Sequence, residues 1–82
     1  MRIPDIRIRF NNIVSKNGLV KVSIFSNTGL DYVIANRYVI ENTREKYSHP
    51  YVKFYLDDKQ VLSCRVSHII SLDDTSIEEV IV

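Results

Sequence analysis

YVKFYLDDKQVLSCRVSHIISL, residues 51–72, is the stretch whose reading decides the fold. Val52, Phe54 and Leu56 alternate with Tyr51, Lys53 and Tyr55. Asp57-Asp58-Lys59-Gln60 interrupts the pattern, and Leu62, Cys64 and Val66 resume it against Ser63, Arg65 and Ser67. Successive side chains of a strand point to opposite faces, so period two with a polar interruption predicts a half-buried hairpin. One face of this ribbon supplies core. The other carries Tyr51, Lys53, Tyr55 and Arg65, with His68 beyond them. After Ser67 the doublet Ile69-Ile70 breaks the alternation and predicts a tight 3₁₀-like step.

Working outward, Ile6, Ile8 and Phe10 alternate with Arg7 and Arg9, which predicts a first strand with one wet face. Asn17-Gly18 is a hairpin-turn signal, because both residues tolerate positive φ. Val20, Val22 and Ile24 then alternate with Lys21 and Ser23 as a second strand, and Ser26-Asn27-Thr28-Gly29 is the next turn. Residues 30–41 read two ways. Leu30, Val33, Ile34 and Tyr38 have helical spacing behind a Thr28/Asp31 capping box. Tyr32-Val33-Ile34 and Tyr38-Val39-Ile40 are dense in β-branched and aromatic residues, which favours a long strand bent near Asn36. Residues 42–50 form the longest polar loop, and the tail to Val82 is a last strand or a short helix.

The chain has 82 residues, 45% hydrophobic and 26% charged, an ordinary composition for a single small domain over 1–82. The expected class is all-β: a five- to six-stranded antiparallel barrel or a strongly bent sheet, with a short helix at 30–41 or 75–81 as the variant. From Tyr51 onward the strand–turn–strand–step–strand order resembles that of SH3-like and Sm-like small barrels. No segment approaches the ~18 consecutive apolar residues of a membrane span, and charges rather than an apolar stretch follow Met1. The single cysteine, Cys64, excludes an internal disulfide and suits a reducing, cytoplasmic setting.

Charge is uneven along the chain. Arg2, Arg7, Arg9, Lys16 and Lys21 oppose only Asp5 in the first 25 residues, whereas Asp73, Asp74, Glu78 and Glu79 have no basic neighbour from Ser71 onward. If the first and last strands lie side by side, as in many small barrels, their pairing neutralises this asymmetry internally, by about 0.2–1 kcal/mol per cross-strand pair. An intermolecular head-to-tail contact and nucleic-acid binding are the alternative uses of the same charges.

Catalysis finds little footing. His49 and His68 lack the close Cys or His partners of a zinc site, so no metal and no cofactor are expected. The adjacent carboxylates Asp57-Asp58 and Asp73-Asp74 read as turn formers. Cys64 and His68 stand about 13 Å apart at strand rise, too far for a nucleophile–base dyad. Gly18 and Gly29 stand alone in turns, not in a phosphate loop.

The expected function is therefore a non-enzymatic protein-binding module that also self-associates. Its candidate binding residues are Tyr51, Lys53, Tyr55 and Arg65 on the wet ribbon face, with the apolar end Val80, Ile81 and Val82. A short chain rich in Ile, Asn, Lys and Tyr resembles the accessory and inhibitor proteins of phages and mobile elements. That resemblance implies action on another protein in the cytoplasm, including that of an infected host cell. The alternative is a single-stranded nucleic-acid binder using Arg7, Arg9, Lys21 and the tyrosines, although a net charge of +1 supplies little sustained positive field.

Overall fold

In the computed structural model, which describes residues 1–41 and 50–75, the 51–72 segment folds as its alternation dictates. Among the described residues there are six strands: β1 (Val20–Ser26), β2 (Gly29–Ala35), β3 (Arg37–Glu41), β4 (Tyr51–Leu56), β5 (Lys59–Arg65) and β6 (Ile69–Asp74). A 3₁₀ turn, Val66–His68, makes the step between β5 and β6. Asp57 and Asp58 form the two-residue β4–β5 turn with φ of 49° and 66°, a left-handed pair that short Asp side chains tolerate. The ladder shifts register between Phe54 and Tyr55, so Phe54 faces Leu62 while Tyr55 faces Gln60.

These six strands pair antiparallel throughout and give two three-stranded sheets. Sheet A has the order β2-β1-β6 and sheet B the order β3-β4-β5. Residues 29–41 run as one strand broken at Asn36, as their β-branched content predicts, and not as a helix. The Asn36 amide donates to the Tyr55 carbonyl at 2.9 Å, carrying the chain from sheet A into sheet B. Among the described residues β5 and β6 do not pair, so the sheets do not close into a barrel. The position 75–81 proposed for a helix, apart from Thr75, and the 42–49 loop lie outside the described residues.

The all-β expectation is corrected at the N-terminus. Ile3–Asn17 is a helix, α1, and the predicted strand over Ile6–Phe10 is part of it. Alternation over five residues matches a strand, but the longer run Ile3, Ile6, Phe10, Ile13 and Val14 matches one face of a helix. Pro4 sits in the first turn, Asp5 beside it, and Lys16 in the last turn, all favourable to helix ends. Asn17-Gly18 is likewise not a hairpin turn. Gly18 adopts φ 78° as the helix C-cap, and its amide donates to the Val14 carbonyl at 2.9 Å. The requirement for positive φ was real, but a helix end satisfies it.

α1 lies against β1 and β6. Ile6 and Phe10 enter a core completed by Val20, Val22, Ile24, Ala35, Ile69 and Leu72 of sheet A and by Val52 and Phe54 of sheet B. Phe10 meets Tyr38 edge-on at 4.8 Å between ring centroids and stacks on Phe54 at 5.8 Å. Ile8, by contrast, is 62% exposed. We expect Phe10→Ala to destabilise the protein by about 3–5 kcal/mol in urea unfolding. Ile8→Ala should stay within about 0.5 kcal/mol of the parent. Comparable losses at both positions would restore the strand reading of this segment.

Candidate interaction surfaces

The outer face of sheet B is assembled as the ribbon alternation implies. Tyr51 faces Arg65 across the β4–β5 ladder, Lys53 faces Val39 and Ser63, and Tyr55 faces Arg37. Its polar groups are engaged with one another. Lys53 Nζ meets Glu41 Oε1 at 2.8 Å, and this hydrogen bond holds the ammonium above its ordinary pKa. Arg65 Nε donates to Tyr51 Oη at 3.4 Å. Arg37 covers the Tyr55 ring at 4.6 Å and lies 3.9 Å from Asp58. Such exposed pairs are screened by solvent, add little to stability and keep the face polar and wetted.

The outer face of sheet A differs in kind. Val20, Val22 and Ile24 point inward, so Lys21, Ser23 and Phe25 point outward. Phe25 stands opposite Leu30, Ser23 opposite Tyr32 on one side and opposite Ser71 on the other. Phe25 is 64% exposed, Leu30 74%, Tyr32 55% and Ile70 39%. Lys21 Nζ lies over the Tyr32 ring at 4.6 Å. Between these side chains runs a shallow groove of about 250 Å³ lined by Lys21, Ser23, Leu30, Tyr32, Ile70 and Ser71. Sequence reasoning missed this patch, although the strand period carried it: alternation through Val20–Ile24 places Phe25 on the wet side. The doublet Ile69-Ile70 also requires one of its members to face out, and Ile69 is the buried one.

The residues proposed for nucleic-acid binding are dispersed. Arg7 and Arg9 are exposed on α1, two positions apart and so about 200° around a helix, while Lys21 lies on the outer face of sheet A. Arg7 and Arg9 take no part in a cross-strand pairing with the acidic end. On β1 it is Lys21 that is in register with Asp73, with its ammonium over the Tyr32 ring and the Asp73 carboxylate accepting from Ser71 Oγ at 2.8 Å. Asp73-Asp74 is the end of β6 and not a turn, whereas Asp57-Asp58 is one. Asp57 also ties the bend: its carboxylate accepts from Asn36 Nδ2 at 3.1 Å, and its amide donates to Asn36 Oδ1 at 3.3 Å. Val80, Ile81, Val82 and His49 lie outside the described residues.

Among the described residues no cluster of three or more His, Cys, Asp or Glu side chains is placed to hold a metal ion. No helix there is long and apolar enough to cross a membrane. A groove of about 560 Å³ at the N-terminus of α1 is walled by Met1, Ile3, Pro4, Pro50 and Val66, with Arg2 and Ser67 as its polar side chains. His68 is exposed on the 3₁₀ turn, and Cys64 is half-buried on the inward side of β5.

Burial pushes the Cys64 thiol above its ordinary pKa, because the partly apolar site disfavours the thiolate. The folded state therefore favours the protonated thiol. That preference stabilises the fold below the unfolded thiol's pKa and fades as pH rises through the folded value. Reaction of Cys64 with a disulfide reagent such as DTNB is expected to be slow in native protein at neutral pH and fast in urea. Equal rates in the two conditions would contradict its placement.

Comparison with protein-family models, with curated proteins and with solved structures finds no match to this chain.

Proposed function

We propose that this chain is a non-enzymatic protein-binding module acting by protein–protein contact and self-association, with the outer face of sheet A as its working surface. The carrying observation is the contiguous exposure of Phe25, Leu30, Tyr32 and Ile70 on one side of the β2-β1-β6 sheet. Together they offer on the order of 400 Å² of apolar surface, within the range at which patches on small proteins are often functional. At about 25 cal/mol per Å², covering that area yields roughly 10 kcal/mol before the costs of association. Those costs run to about 4–15 kcal/mol, so the patch supports a contact of modest affinity that surrounding polar groups must complete. Sheet B's outer face, where Tyr51, Lys53, Tyr55 and Arg65 already hold internal partners, offers less to a partner on the same scale.

The order strand–turn–strand–3₁₀–strand over Tyr51–Asp74 still resembles SH3-like and Sm-like small barrels, but one framework hosts many functions and the site must carry the assignment. Size and composition fit an accessory or inhibitor protein of the phage or mobile-element kind, acting in the cytoplasm. A single-stranded nucleic-acid reading draws on Lys21, Tyr32 and Phe25 sharing one face. It is the weaker reading, because Asp73 faces Lys21 there and Arg7 and Arg9 are on another element.

The test is the double variant Phe25→Ser/Leu30→Ser, compared with the parent in affinity capture from the native host, in measurements of self-association and in oligonucleotide titration at low salt. Its melting temperature is expected to stay close to the parent's, since both side chains are largely in water. Loss of partner capture or of self-association supports the reading. Unchanged capture and self-association, or salt-sensitive oligonucleotide binding that the double substitution abolishes, would overturn it.

A further inference from the structure

The outer face of sheet A carries a knob and a hollow side by side. Phe25 protrudes from the β1–β2 hairpin, 64% exposed. The hollow is the groove whose floor is the in-register pair Ser23 and Ser71, two short side chains flanked by Tyr32, Leu30 and Ile70. A surface with both features can pack against a copy of itself about a two-fold axis, each knob entering the other copy's hollow. The charges agree. Lys21 and Asp73 occupy opposed positions on this same face, so it carries both signs and does not repel its own copy. A partner of strong single-sign charge gains no such match.

Resting on the reading of this face as the binding surface, we infer that its occupant is a second copy of this chain, docked sheet A to sheet A in an isologous homodimer. Two sheet faces pack about 10 Å apart when their side chains interdigitate, and the Ser23–Ser71 floor is where a large side chain can be received. The apolar patch, on the order of 400 Å² per copy, forms the dry centre of the contact. Lys21 and Asp73 supply the polar rim that brings each side towards the ~800 Å² of a standard interface. Across the two-fold axis Lys21 of each copy lies against Asp73 of the other.

Sedimentation equilibrium of the full chain over a wide concentration range tests the inference. The parent is expected to show a reversible monomer–dimer equilibrium. Lys21→Asp and Asp73→Lys, each alone, place like charges across the axis and should weaken dimerisation by at least about tenfold. An equimolar mixture of the two variants restores both opposite-charge contacts and should recover the parent's affinity. A local folding defect cannot be rescued by mixing, and circular dichroism of each variant checks the fold independently. Ser23→Tyr, which fills the hollow, should weaken dimerisation as well.

A parent that is monomeric at every concentration overturns the dimer, as does a dimer indifferent to these substitutions or single variants that mixing fails to rescue. If the parent is monomeric but Phe25→Ser/Leu30→Ser abolishes capture of another protein, the dimer falls and the binding surface stands. If that double variant changes nothing, both fall.

Discussion

Phe10 is the contact on which the helix and both sheets converge. It projects from α1, which itself lies on β1 and β6 of sheet A, and its ring meets Tyr38 and Phe54 of sheet B. One side chain thus ties three elements whose backbones are otherwise linked by turns and by the bend at Asn36. Aromatic pairs contribute about 0.5–1.5 kcal/mol beyond the area they bury, and an ~80-residue domain has little stability to spare. The helix covers the inner faces that an unclosed pair of sheets would otherwise leave to water. Without Phe10's seat, the orientation of α1 and the shape of the core have no comparable anchor.

That arrangement determines which surfaces remain for function. Among the described residues both inner faces are consumed by the core, and the outer faces, the helix exterior and the strand edges face solvent. The edge strands β5 and β6 carry charges at their ends, Lys59 and Arg65 on β5 and Asp73 and Asp74 on β6, a partial defence against unwanted edge pairing. Sheet B's outer face holds its cations against Glu41, Asp58 and aromatic rings. Sheet A's outer face has one cation–π contact and several large apolar side chains in water. A cation over a ring is worth about 0.5–1 kcal/mol where exposed, small beside the gain from covering the apolar patch.

Legibility followed the length and cleanness of each pattern. The β4–β5 hairpin was readable because six apolar and six outward positions follow one period on either side of an Asp-Asp turn. The bend at Asn36 was readable because β-branched and aromatic residues flank a polar break. Ile6-Ile8-Phe10 misled, since five residues fit both periods and β-branched Ile weighs against a helix by propensity. Ile3, Ile13 and Val14 would have resolved it, with Pro4 and Gly18 marking the helix ends. Phe25 is the outward member that closes the β1 alternation, and its residue type alone does not distinguish a solvent-facing ring from a core one.

The sequence by itself determined the strands β1, β4 and β5, the inward and outward sets of β4 and β5, and the positions that demand positive φ. These are local properties, decided by side-chain period and by which residues tolerate a left-handed backbone. The tertiary structure supplied the reason that α1 is a helix, since burial of Ile6 and Phe10 in the core outweighs the β-branched propensity of the segment. It also placed Lys21 opposite Asp73 and separated Arg7 and Arg9 from both. Above all it brought Ile70, forty residues downstream, beside Leu30 and Tyr32 to make one apolar surface, a coincidence of strand order that no local pattern encodes.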